Sequence, residues 1–96
     1  MTKDEILKVL ERARDEARDR YRAEIMGFFG SYARGEENAE SDLDVLVQFR
    51  EGATLFHLSG LGNFLEEMLH CKVDVVSKRA IRKEIASHIY GDLVSL

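Results

Sequence analysis

From Asp42 to Phe49 the chain alternates without a break, and no other stretch constrains the fold as tightly. Leu43, Val45, Val47 and Phe49 fall on one side; Asp42, Asp44, Leu46 and Gln48 fall on the other. A period of two is the signature of a strand. One of its faces suits a core, and the other turns acidic at its start. Two further apolar runs read as strands. Ile25-Met26-Gly27-Phe28-Phe29 stops at Gly30 and is expected to be buried. Lys72 to Val76 places Lys72, Asp74 and Val76 on one face and Val73 and Val75 on the other. Cys71, just ahead of it, is expected to be a buried strand residue rather than a nucleophile.

Helical patterns separate these strands. Thr2 followed by Glu5 reads as a capping box, and behind it Ile6, Leu10, Ala13 and Ala17 form one stripe. The alternating charges from Glu11 to Arg20 read as a solvated face, with Arg12, Glu16 and Arg20 at i,i+4 spacing. Ser31 is expected to cap a short helix through Arg34. Thr54 caps a longer one carrying Leu55, Leu58, Leu61, Leu65, Met68 and Leu69, which Gly60 and Gly62 weaken, as close packing would require. A last helical pattern runs from Ser77 through Ile81, Ile85 and Ile89. The order αβαβαβα predicts an α/β (α+β) layer fold, a small mixed sheet with helices packed on it.

Bulk properties narrow the function. At 96 residues, with no proline and no visible linker, residues 1–96 are expected to form a single domain. That leaves no room for a separate substrate domain, so a large substrate would be a partner chain. No stretch is long and apolar enough to span a membrane, and the charged start is unlike a signal peptide; the expectation is a cytoplasmic protein with no membrane partner. The single cysteine fits a reducing compartment. A net charge of −4 argues against nucleic acid as a direct partner, but not against a nucleotide carried with its metal. His57, His70 and His88 lack metal-ligand spacing, so zinc is not expected. Lys78, Arg79, Arg82 and Lys83 read first as a solvated helix start.

The chemistry lies in a constellation. Asp42 and Asp44 project from one strand face, ~6.5–7 Å apart along the chain. Such carboxylates repel unless a hard cation such as Mg²⁺ lies between them. A bare Asp-x-Asp is more often a wet strand end, but three features shift the balance. Asp74 interrupts an otherwise apolar strand, which makes sense if it faces the other two. Gly30-Ser31 closes a strand and opens a helix, where backbone N–H groups can meet phosphate oxygens. Arg34, one turn later, can offer a charged fork to the same phosphates.

Gly30-Ser31-Tyr32-Ala33-Arg34-Gly35, then Ser41-Asp42-Leu43-Asp44-Val45-Leu46-Val47, then Asp74, resembles the signature of the polymerase-beta-type nucleotidyltransferases. Ala33-Arg34-Gly35 and the short chain resemble its minimal nucleotidyltransferase (MNT) family. The resemblance implies a nucleotidyltransferase fold with Asp42, Asp44 and Asp74 as catalytic residues that bind Mg²⁺. Asp74 would also be the base, or orient it. Gly30, Ser31 and Arg34 would hold the phosphates of ATP. It further implies AMP transfer from ATP to a tyrosine of a partner HEPN-family toxin, an antitoxin role. Two alternatives stand beside it: a non-catalytic binding antitoxin or scaffold, and a small-molecule adenylyltransferase, which the absence of a substrate domain disfavours.

Overall fold

A computed structural model describes residues 1–96. The elements run α1 (Lys3–Tyr21), β1 (Ala23–Phe29), α2 (Ser31–Arg34), β2 (Leu43–Phe49), α3 (Leu55–Leu69), β3 (Val73–Ser77), a 3-10 turn (Lys78–Ala80), α4 (Lys83–Asp92) and β4 (Val94–Ser95). The four strands form one mixed sheet in the order β3-β2-β1-β4. β1 is antiparallel to both β2 and β4, while β3 is parallel to β2 through the α3 crossover. The expected mixed sheet with packed helices is thus the fold.

The alternation in β2 decides the layers. Leu43, Val45 and Val47 are fully buried in the main core with Ile6, Leu10, Ala13 and Ala17 of α1 and Leu61, Leu65 and Leu69 of α3. Leu46, on the opposite face, joins Phe29 and Ile89 in a smaller cluster under α4. Truncating one of these buried leucines to alanine removes packing worth roughly 2–5 kcal/mol. Thr2 and Glu5 form the capping box read from the sequence. Gly60 has the predicted packing role: a Cβ there would lie 2.7 Å from the Tyr21 ring, which stacks on Phe64.

Four local readings need correction. Ser31 does not cap α2; Gly30 does, because its carbonyl accepts from the Ala33 and Arg34 N–H groups and its left-handed turn admits no side chain. Cys71 is neither in a strand nor fully buried, because α3 ends in a left-handed turn at His70 and β3 begins only at Val73. Ser77 opens no α-helix; it pairs in register with Val47 as the end of β3 and caps only the 3-10 turn, which delays α4 to Lys83. Leu55 starts α3 but is 80% exposed, so it belongs to no core.

β4 has no local signal in the sequence. It exists because β1 carries a register shift between Ile25 and Gly27, and Gly27 then meets Ser95. A Cβ on Gly27 would sit 2.2 Å from the Val94 carbonyl oxygen. Gly27→Ala is expected to unpair β4 and lower stability by about 1–3 kcal/mol, as overpacking does. Urea denaturation checks this; unchanged stability would mean β4 contributes nothing to the fold.

Candidate active site

The site forms where β1 and β2 end beside α4. A cleft of about 420 Å³ is lined by Phe29, Gly30, Ser31, Arg34, Asp42, Asp44, His88, Ile89 and Asp92. Five of the six candidate residues therefore share one cleft. The sixth, Asp74, is not one of its walls but is directly paired with Asp44 in the parallel β2–β3 ladder. Paired residues of adjacent strands project from the same face. Asp74 also borders a second groove, between β3 and α3.

Asp44 is the electrostatic centre. Burial pushes its carboxyl up from 3.8 to about 6, with the charges of Asp74 and Asp42 adding to the shift and Arg34 opposing it. Gly30 holds it in place from the other side. A Cβ on Gly30 would fall 2.2 Å from an Asp44 carboxylate oxygen, and φ at Gly30 is +79°. The glycine expected for phosphate approach is thus required first by its neighbouring carboxylate.

The phosphate-cradle residues are arranged more simply than expected. α2 has only four residues, so its dipole is slight. What remains are unpaired first-turn N–H groups and the Ser31 hydroxyl, which makes no cap bond and lines the cleft. Arg34 Nε donates to Glu36 Oε1 at 3.0 Å, and its Nη1 donates to Asp92 Oδ2 at 2.6 Å. These two carboxylates raise the Arg34 pKa and leave its other N–H donors for a ligand. Asp92 and His88 were not legible as site residues. They lie far from the motif in sequence, and only the packing of α4 brings them to the cleft.

The donor set fits a hard divalent cation: oxygen ligands only, like-charged, with the Asp44 carboxyl pushed up by burial and by the charges of Asp74 and Asp42. Asp42, Asp44 and Asp74 are not drawn into a closed ligand set. Asp42 and Asp74 are exposed, so their side chains can turn.

A parallel strand pair that presents carboxylates beside a Gly-Ser turn defines a class, and comparison with known proteins bears on it directly. Residues 10–95 match the model of the nucleotidyltransferase domain family, and the chain belongs to that family. Protein adenylyltransferase MntA of Thermococcus cleftensis is 36% identical over 94 residues, covering 98% of this chain and 95% of the relative. A protein of Methanocaldococcus jannaschii, provisionally named a protein adenylyltransferase, is 34% identical over 94 residues, covering 97% and 96%. A solved structure provisionally described as a minimal nucleotidyltransferase superposes with TM-score 0.80 at 35% identity, covering 100% of this chain and 97% of that one. A chain of a toxin–antitoxin crystal structure with AMP-PNP superposes at 0.66 over 95% of this chain and 68% of that one; at 21% identity this is a likeness of fold. The chain is a nucleotidyltransferase of the minimal type.

Two outcomes test the site's physics. Because the folded pKa of Asp44 is raised, the folded state holds more protons than the unfolded one between about pH 4 and 6, and stability falls as pH rises through that window. The nominal cost at neutral pH, ~3 kcal/mol at 1.36 per unit, shrinks to about 1 kcal/mol for a half-exposed group screened by water. Asp44→Asn in metal-free protein should therefore gain about 1 kcal/mol at pH 7.5 and nothing at pH 4. Thermal unfolding at the two pH values reads the difference; an equal effect at both would contradict the assignment. Separately, Gly30→Ala should displace Asp44 and weaken ATP and divalent-cation binding together by calorimetry. Loss of ATP binding alone would return Gly30 to a purely phosphate-facing role.

Proposed function

We propose that this chain transfers AMP from ATP to a hydroxyl of a partner protein, with Asp42, Asp44 and Asp74 as the catalytic carboxylates. The observation that carries the reading is Asp44, packed on Gly30 at the cleft and in register with Asp74. The naming of close relatives as protein adenylyltransferases supports the choice of AMP and of a protein acceptor.

The three aspartates would hold Mg²⁺, which when bound neutralises their charge, balances the triphosphate and makes an acceptor hydroxyl easier to deprotonate. The protein's residues do the rest. The Gly30-Ser31 backbone and the Ser31 hydroxyl hold the terminal phosphates, and Arg34 contributes the N–H groups that Glu36 and Asp92 leave unused. Asp74 takes the acceptor proton or orients the group that does. The acceptor oxygen bonds to the α-phosphorus, the bond from that phosphorus to the bridging oxygen breaks, and pyrophosphate departs. The acceptor is a tyrosine of a HEPN-family toxin, and modification is the antitoxin activity. Residues 1–96 act as one nucleotidyltransferase domain, in the cytoplasm.

The test mixes the protein with the product of its neighbouring gene, ATP and Mg²⁺, and weighs that partner by mass spectrometry. One or more added AMP groups are expected. Asp44→Asn should cut the rate by roughly a hundredfold or more, the scale lost when a metal site is disturbed, while the two proteins still bind. Equal neutralisation of the partner by wild type and Asp44→Asn, with no mass change in either, would replace catalysis with simple binding.

A further inference from the structure

β3 is an edge strand: β2 is its only neighbour in the sheet. The Leu43 N–H bonds to the Lys72 carbonyl and Val73 is the register partner of Leu43, which fixes the ladder. Backbone groups of Asp74 and Val76 face β2, whereas those of Val73, Val75 and Ser77 face outward. The outward Val73 N–H is covered by Glu66 of α3, which accepts it at 3.0 Å. The Val73 carbonyl and both backbone groups of Val75 have no strand partner beyond them.

This edge runs beside a groove of about 270 Å³, lined by Leu58, Ser59, Gly62 and Glu66 of α3 and by Val73 and Val75. Gly62 keeps the groove open: a Cβ there would touch only Val75, at 3.9 Å. Leu55 lies on the same helical stripe as Leu58, Ser59 and Gly62 and is 80% exposed. An isolated exposed leucine means little. One that extends a groove along an open strand edge, with a carboxylate of the reaction on that strand, marks a surface for a chain that pairs there.

We infer that the open edge of β3 docks an extended segment of the acceptor protein as an added strand. The inference rests on the proposed protein adenylyltransferase reading and supplies its substrate-binding surface. Alternation assigns the side chains. Those sharing the Val73 and Val75 face enter the groove under α3 and are apolar. The one between them shares the Asp74 face and carries the hydroxyl. It starts roughly two strand spacings, or about 10 Å, from Asp44, so a long side chain reaches the cleft and a serine does not. Glu66 and Asp74 border the edge, so the segment lacks acidic residues and gains from basic ones.

The test uses the intact protein and a synthetic peptide with one tyrosine between two valines and lysines at both ends. Hydrogen exchange by NMR should show the Val75 N–H slowed about tenfold or more at saturating peptide. Val75→Pro removes that donor at an edge position where proline is tolerated. It should weaken peptide binding about tenfold and leave Mg²⁺-ATP binding unchanged. A peptide N-methylated on its pairing edge should fail equally against wild type, which keeps the test valid if Val75→Pro misfolds. No protection at Val75, or full binding of the N-methylated peptide, overturns the inference. So does a Val75 N–H already protected in a self-associated protein, because a second copy would then hold the edge. Protection without AMP transfer to any acceptor would retain the docking edge and remove the catalytic reading; transfer undiminished by Val75→Pro would do the reverse.

Discussion

The Asp44 carboxylate lies against the Cα of Gly30, with no room for a side-chain carbon between them. Most of the proposed site depends on that contact. It joins the end of β1 to the start of β2 and sets the path of the chain into α2, so Ser31 and Arg34 face the same cleft as the carboxylates. It also leaves Asp44 half-buried among like charges, which pushes its proton affinity up to about 6. The fold tolerates this because Leu43 and Val45, on either side of Asp44, are fully buried in the main core. Burial of a fully enclosed aliphatic side chain stabilises by roughly 1.5–3 kcal/mol, more than the screened cost of one unhappy carboxylate. The proposed site is thus built on a local electrostatic penalty that the strand's apolar face offsets.

The same division runs through the sheet. One face, under α1 and α3, holds the larger core. The other, partly covered by α4, holds the small cluster of Phe29, Leu46 and Ile89, and the cleft opens beside it. α4 is kept there by few contacts: Ile89 in that cluster, the Arg34–Asp92 ion pair and the short β4 ladder across Gly27. An exposed ion pair contributes little by itself. The Gly27 approach to Val94, which a Cβ would block, lets β4 pair with β1 directly after α4.

Much of this was legible in the sequence because it is local. The capping box at Thr2, the stripe from Ile6 to Ala17 and the alternation of β2 each need only a few neighbouring residues, and each is found as read. The pairing of Asp44 with Asp74 was legible as chemistry, since an aspartate between Val73 and Val75 needs a reason. What failed depends on partners distant in the chain. β4 exists only by pairing with β1, Asp92 reaches Arg34 across 58 positions, and Ser77 extends β3 because Val47 lies beside it. Ser31 is not the cap because a glycine carbonyl, which has no sequence signature, takes the Ala33 and Arg34 N–H groups.

The central claim is that burial and the neighbouring charges of Asp74 and Asp42 raise the proton affinity of Asp44, and that a divalent cation bound there would lower it again. A carboxyl ¹³C NMR titration measures this directly in protein labelled at aspartate and assigned through Asp44→Asn. Without divalent metal, Asp44 should titrate near 6, well above its ordinary 3.8, and saturating Mg²⁺ should pull that midpoint down. An Asp44 midpoint in the ordinary carboxylate range, unmoved by Mg²⁺, would contradict the claim.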